Sequence, residues 1–148
     1  MGIRRRYLGW VAGWTLLVGV LMVAVPLLLR GRLPEPIAIE WSIVGVPKSS
    51  SSLRDFVFGK VVWWFVVVGV WTGLAWRGVL RGRGLALTGA VLVVFGWVLL
   101  GTVVLTTVAN LDAPEFREAS ELAGTGWLAL TTAPVAWLGW RLGARAAD

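Results

Sequence analysis

Glu35, Glu40 and Lys60 are the residues of this chain whose types and positions bear most directly on chemistry. Two carboxylates close in sequence suggest a general acid and base. Glu35 and Glu40 make a poor pair, because Pro36 separates them and positions five apart on an extended segment point to opposite faces. Lys60 borders an apolar run, where a charge is expensive and usually marks function. A Glu40–Lys60 ion pair would relieve that expense. So would a lysine that extends its ammonium to the headgroups. The acids Asp112, Glu115, Glu118 and Glu121 form a second concentration, read either as a cation collector or as the solvated face of a short helix. The chain has no cysteine and no histidine, which removes thiolate chemistry, the commonest general base and the commonest metal ligand. Neither a glycine-rich phosphate loop nor a serine-nucleophile motif is present. These residues predict a protein that is not an enzyme and has no cofactor and no metal.

The segment that carries both glutamates has its own pattern. Pro34-Glu35-Pro36 is stiff and extended. Ile37, Ile39, Trp41 and Ile43 then alternate with Ala38, Glu40 and Ser42, which is strand periodicity with one apolar face. Gly45-Val46-Pro47 reads as a closing turn, and Lys48 with Ser49 to Ser52 as a solvated tether. Such a segment must pack on something, either the end of a helix bundle or the third loop. In that loop Asp112 and Glu115 have capping-box spacing, Pro114 suits a first turn and Gly124 suits a stop, so a short helix is expected.

The elements that position these loops follow from composition. The 148 residues are 57% hydrophobic and only 15% charged, against about 25% charged in a typical soluble chain. Mean hydropathy is +0.78. A soluble core of this length could not cover so much hydrocarbon. Uncharged windows run over 7–29, 61–76, 84–111 and 122–140, and spanning takes roughly 20 predominantly apolar residues. They predict an all-α membrane protein, a bundle of four transmembrane helices over about 8–29, 56–76, 86–108 and 126–142 in a single domain. Loop 30–55 carries the short extended segment. The first span is too long for a signal-peptide core and has no small-residue cleavage site, so it is read as a retained anchor.

Charge orients the bundle. Arg4, Arg5, Arg6, Arg77, Arg81, Arg83, Arg141 and Arg145 fall on one side with Asp148. The other side holds Arg30, Arg32, Lys48, Arg54 and Arg117 with the remaining seven acids. Both termini are therefore expected in the cytoplasm. The net charge of +6 then reflects topology and anionic lipid, not nucleic acid. Tyr7, Trp10, Trp76, Trp137 and Trp140 would form the inner aromatic belt, and Trp63, Trp64 and Trp127 the outer one. Trp97 falls mid-span, where its indole N–H needs an acceptor. Gly9/Gly13, Gly69/Gly73 and Gly139/Gly143 are small-residue pairs suited to packing within the bundle or to a dimer seam. Pro134 frees the Leu130 carbonyl, which Thr131 or Thr132 is expected to help satisfy.

Leu33-Pro34-x-x-Ile37-x-Ile39-Glu40-Trp41-x-x-x-Gly45-x-Pro47, directly after a first span, resembles the motif LPxxIPxHWxxxGxPD. That motif belongs to bacterial SdpI-like membrane proteins and to the wider domain of unknown function 1648. With the serine-rich stretch taken as an insertion, Lys60 stands where family members often have a lysine at the start of the second span. Glu40 occupies the histidine position and Lys48 the final aspartate position. The resemblance implies a protein of the bacterial cytoplasmic membrane, linked in some members to immunity against a secreted toxic peptide or to signalling. For most members it implies no known activity. The reading of the residues themselves is a non-enzymatic membrane protein that meets a partner, a peptide or another membrane protein, at its outer face through Pro34, Ile37, Ile39, Glu40, Trp41, Gly45 and Pro47, with Lys60 as a counter-charge. The alternatives are that the segment is only a lid over the bundle, or that the protein is a small transporter, an accessory subunit or an oligomeric channel.

Overall fold

The computed structural model describes residues 2–77 and 83–145. Arg81 and Asp148, both assigned above to the cytoplasmic side, lie outside the described residues. Four helices carry the chain: α1 (Gly2–Leu28), α2 (Leu53–Trp76), α3 (Arg83–Ala109) and α4 (Thr125–Arg145). Between α1 and α2 lie a single 3-10 turn at Arg30–Arg32 and a hairpin of β1 (Ile37–Trp41) and β2 (Pro47–Ser51). Among the described residues, three segments are long and apolar enough to cross a bilayer: Tyr7–Leu28, Leu53–Trp76 and Gly84–Ala109. The chain is a multi-pass membrane protein. The fourth helix has 21 residues, about 31 Å of rise, but is less apolar than the other three.

Helix α3 is central, with α1, α2 and α4 all packed against it. In lipid there is little hydrophobic drive between helices, so close backbone approach and hydrogen bonds must hold them. Both are present. A Cβ on Gly89 would lie 2.5 Å from the Gly139 carbonyl oxygen, and one on Gly143 would lie 2.6 Å from that of Leu85. The Gly139/Gly143 pair therefore serves the α3–α4 seam inside the chain. Gly9, Gly13, Gly69 and Gly73 have no atom within 4 Å of a Cβ position.

Tryptophan supplies the hydrogen bonds. Trp64 on α2 donates its indole N–H to the Thr15 carbonyl on α1 at 3.1 Å. Trp14 on α1 donates to the Leu92 carbonyl on α3 at 3.3 Å. Trp97 on α3 donates to Thr131 Oγ1 on α4 at 3.1 Å, the acceptor its mid-span position requires. Each of three adjacent helix pairs thus has one indole stitch. Trp64 corrects the outer-belt assignment: it is fully buried beside Val18, Met22, Phe56 and Val103, whereas Trp63 next to it is exposed. The threonine expectation also changes. Thr131 and Thr132 bond the carbonyls of Trp127 and Leu128 one turn earlier, not the Leu130 carbonyl freed by Pro134.

Helix α2 starts at Leu53, three residues before the expected span. Ser52 is its N-cap, with Oγ accepting from the Asp55 N–H at 3.0 Å. Glu35 reaches across to accept from the Leu53 N–H at 3.2 Å. A carboxylate at a helix N-terminus satisfies a free donor and complements the helix dipole.

The loops depart most from expectation. The stretch Lys48–Ser52 is not a tether; Pro47–Ser51 pairs with β1 as an antiparallel strand, Ile37 opposite Ser51 and Trp41 opposite Pro47. The third loop is not a helix beyond one 3-10 turn at Phe116–Glu118. Asp112 cannot act as an N-cap there, because its backbone sits at φ 60° and its carboxylate is engaged by Arg32.

Candidate functional site

The hairpin stands on the same end of the bundle as the third loop, and four contacts fix its base. Ile37 and Ala38 are buried, so both faces of β1 are covered at its start. Asn110, directly after α3, accepts from the Ala38 N–H through Oδ1 at 2.7 Å. Its Nδ2 donates to the Ala38 carbonyl at 2.9 Å and to the Thr106 carbonyl at 2.9 Å. The amide therefore serves Ala38 as a neighbouring strand would. Trp41 donates its indole N–H to the Ser120 carbonyl at 3.0 Å. Ser120 in turn donates from its backbone N–H and its hydroxyl to the Ala109 carbonyl.

Arg32 and Asp112 make the remaining tie. The guanidinium donates from Nε to Oδ1 at 2.9 Å and from Nη2 to Oδ2 at 2.5 Å, a two-pronged pair. The Asp112 N–H also donates to the Arg32 carbonyl at 2.8 Å. Hydrogen bonding from Arg32 holds the Asp112 carboxyl below the usual carboxylate range, and the same bond raises the guanidinium further above its own.

The tip contrasts with this base. Ser42 and Val46 pair across a three-residue loop, with the Gly45 N–H bonded to the Ser42 carbonyl and Gly45 at φ 79°. That is the geometry of a three-residue hairpin loop with glycine at its left-handed position. Such loops usually carry Asn, Asp, Ser or Pro. Here the loop presents Ile43 and Val44, 106% and 72% exposed, and Val46 beside it is 57% exposed. Ile43 therefore does not extend the packed face predicted from the alternation; the strand ends at Trp41 and Ile43 enters the turn. A cleft of about 700 Å³ opens between the hairpin and the start of α4, bordered by Glu40, Trp41 and Ile43 on one side and by Glu121, Leu122 and Thr125 on the other.

The expected site residues divide into groups. Ile39, Glu40, Trp41 and Gly45 line this cleft. Pro34 and Ile37 are buried, Ile37 in the core cluster with Val18, Leu53 and Val103, while Pro47 pairs with Trp41 across the hairpin. Lys60 is elsewhere, with Nζ over the Phe56 ring at 5.6 Å from the centroid. The Glu40 carboxylate accepts from the Ser49 hydroxyl at 2.9 Å. Glu40 and Lys60 are not an ion pair; among the described residues the ion pair within 4 Å is Arg32–Asp112. No three acids among the described residues gather closely enough to hold a metal ion. Sequence reasoning missed Asn110, although it is the sole carboxamide side chain of the chain, placed where a span ends. In the sequence Glu121 is only one of the third-loop acids, with no sign of its place beside the hairpin: it packs against Gly45 so closely that a Cβ there would lie 2.7 Å from Glu121 Cγ.

No family model matches the chain, and neither does any curated protein or solved structure.

Proposed function

We propose that this chain is a non-enzymatic protein of the bacterial cytoplasmic membrane that binds a peptide or protein partner at its outer face through the β1–β2 hairpin. One observation carries the reading: Ile43, Val44 and Val46 stand out in solvent at the end of a hairpin whose base is pinned by Asn110, Trp41 and the Arg32–Asp112 pair. A mere lid would turn its aliphatic side chains inward. Exposed apolar residues on a rigid support, beside a cleft with a polar border, suit recognition. Glu40 and Glu121 border that cleft, so the favoured partner combines apolar side chains with a basic group. The likeness of Leu33–Pro47 to the SdpI-like motif agrees with a role in peptide immunity or signalling.

In this reading α4 is the fourth span. Its 21 residues are long enough to cross, and its glycines fit it to α3. The arginine bias then puts both termini in the cytoplasm and the hairpin outside.

A photoactivatable residue at Val44 tests the proposal in intact cells. One discrete adduct, lost when Ile43 and Val46 are both changed to Ser and not formed from Val66 on the outward side of α2, is expected. Adducts at Val44 no different from those at Val66 would defeat it.

A further inference from the structure

A second feature shares no lining residue with the cleft at the hairpin tip. Where α1 ends and α2 begins, a cleft of about 580 Å³ is lined by Val23, Leu27, Val57 and Phe58, with Arg30, Glu35 and Arg54 at its mouth. Below it a second hollow of about 410 Å³ is lined by Leu16, Gly19, Val20 and Phe65. Val23 and Val61 line both, so the two form one groove running down the α1–α2 junction. Its lower part is almost wholly apolar, and Gly19 leaves it open, since a Cβ there would touch Phe65 only at 3.7 Å.

The dimensions match one leaflet. From Leu27 to Leu16 the helix rises about 17 Å, close to the roughly 15 Å that half the hydrocarbon core measures. The charges lie at the headgroup end alone. Among the described residues neither Arg30 nor Arg54 is in an ion pair. The acid at the mouth, Glu35, is engaged with the Leu53 N–H at the start of α2, so the mouth carries two cations against one anion.

We infer that this groove binds an anionic phospholipid, with its phosphate between Arg30 and Arg54 and one acyl chain lying along Val23, Leu27 and Phe58 down to Gly19 and Phe65. The occupant is a lipid because the groove continues apolar for a full leaflet below a cationic mouth. A free phosphate would use only the mouth.

The test uses the full chain reconstituted in vesicles of equal phosphatidylglycerol and phosphatidylcholine, then released and weighed by native mass spectrometry. The wild type is expected to retain phosphatidylglycerol preferentially. Each arginine near the surface contributes about a fivefold preference, so Arg30→Gln with Arg54→Gln should lower the retained ratio roughly thirtyfold. Arg30→Lys with Arg54→Lys keeps the charge and should keep most of the preference, which separates charge from misfolding. Gly19→Leu fills the lower groove without altering a charge and should reduce retention with both arginines intact. Equal retention of the two lipids by the wild type, or a preference that survives the double Gln variant, overturns the inference. Retention untouched by Gly19→Leu also overturns it, because the chain would then not lie in the groove.

Discussion

Asn110 holds Ala38 by both of its backbone polar groups, accepting from the N–H at 2.7 Å and donating to the carbonyl at 2.9 Å. Both residues are wholly buried. One carboxamide thus couples the end of the central helix to the base of the hairpin. An unpaired buried donor or acceptor costs about 1–3 kcal/mol. Asn110→Leu strands both groups of Ala38 and should destabilise the protein by about 2–4 kcal/mol on that scale. The change should also speed amide exchange at Ala38 while leaving the middle of α3 protected. Wild-type exchange at Ala38 in the variant would show that the clasp does not hold the hairpin.

The α3–α4 seam makes a prediction with an internal control. A Cβ at Gly139 would meet the Gly89 carbonyl oxygen at 2.7 Å. Gly139→Val should therefore push α4 from α3 and lower stability by about 1–3 kcal/mol, the usual penalty of overpacking. Gly9→Ala and Gly69→Ala, with open space at their Cβ positions, should change stability by less than about 1 kcal/mol. Denaturation in mixed micelles distinguishes these. Equal effects at all three positions would mean the seam is not where α4 docks.

Trp63 and Trp64 are neighbours with opposite roles. Trp64→Phe loses the stitch to the Thr15 carbonyl and leaves a gap among Val18, Met22 and Val103, so a loss of about 1–3 kcal/mol is expected. Trp63→Phe, on the exposed side, should be near neutral. The fluorescence of Trp64 should resist lipid-borne quenchers that reach Trp63.

The Arg32–Asp112 pair sets a pH dependence. The folded-state pKa of Asp112 lies below its unfolded value, chiefly through hydrogen bonding from Arg32. Its contribution is therefore complete above the unfolded pKa of about 4 and is lost as pH falls through the lower folded value. Arg32 stays charged throughout. Asp112→Asn should remove that part of the acid sensitivity and lower stability slightly at neutral pH, by a small amount because both groups are exposed. Denaturation midpoints at pH 6 and pH 3 measure it. A variant as acid-sensitive as the wild type would show that the pair contributes nothing.

The parts of this fold that were legible are those decided locally. Because lipid admits little else, charge-free runs located the helix ends to within three residues, except that α1 begins at Gly2, six residues before the expected start. The strand Ile37–Trp41 was visible in its alternation. Its partner was not: Lys48-Ser49-Ser50-Ser51 has no apolar pattern and low strand propensity, and it pairs because β1 is already anchored by Asn110. The capping-box spacing of Asp112 and Glu115 misled for a similar reason. Arg32, 80 residues away, takes the Asp112 carboxylate and the left-handed backbone does the rest. Glu35 and Glu40 were singled out for chemistry, yet one caps α2 and the other accepts from Ser49. Trp64 was misplaced because periodicity does not tell a lipid-facing side from a protein-facing one when nearly every residue is apolar.

The central claim, an outward hairpin tip that meets a partner, can be tested on a chain with no native cysteine. Val44→Cys and, as a reference on the adjoining strand, Lys48→Cys are labelled with a membrane-impermeant maleimide in intact cells and again after purification. The account predicts labelling from outside the cell, with the Val44→Cys to Lys48→Cys rate ratio several-fold lower in cells than in the purified protein, because the partner covers the tip. Labelling only after permeabilisation, or a ratio unchanged by purification, would contradict it.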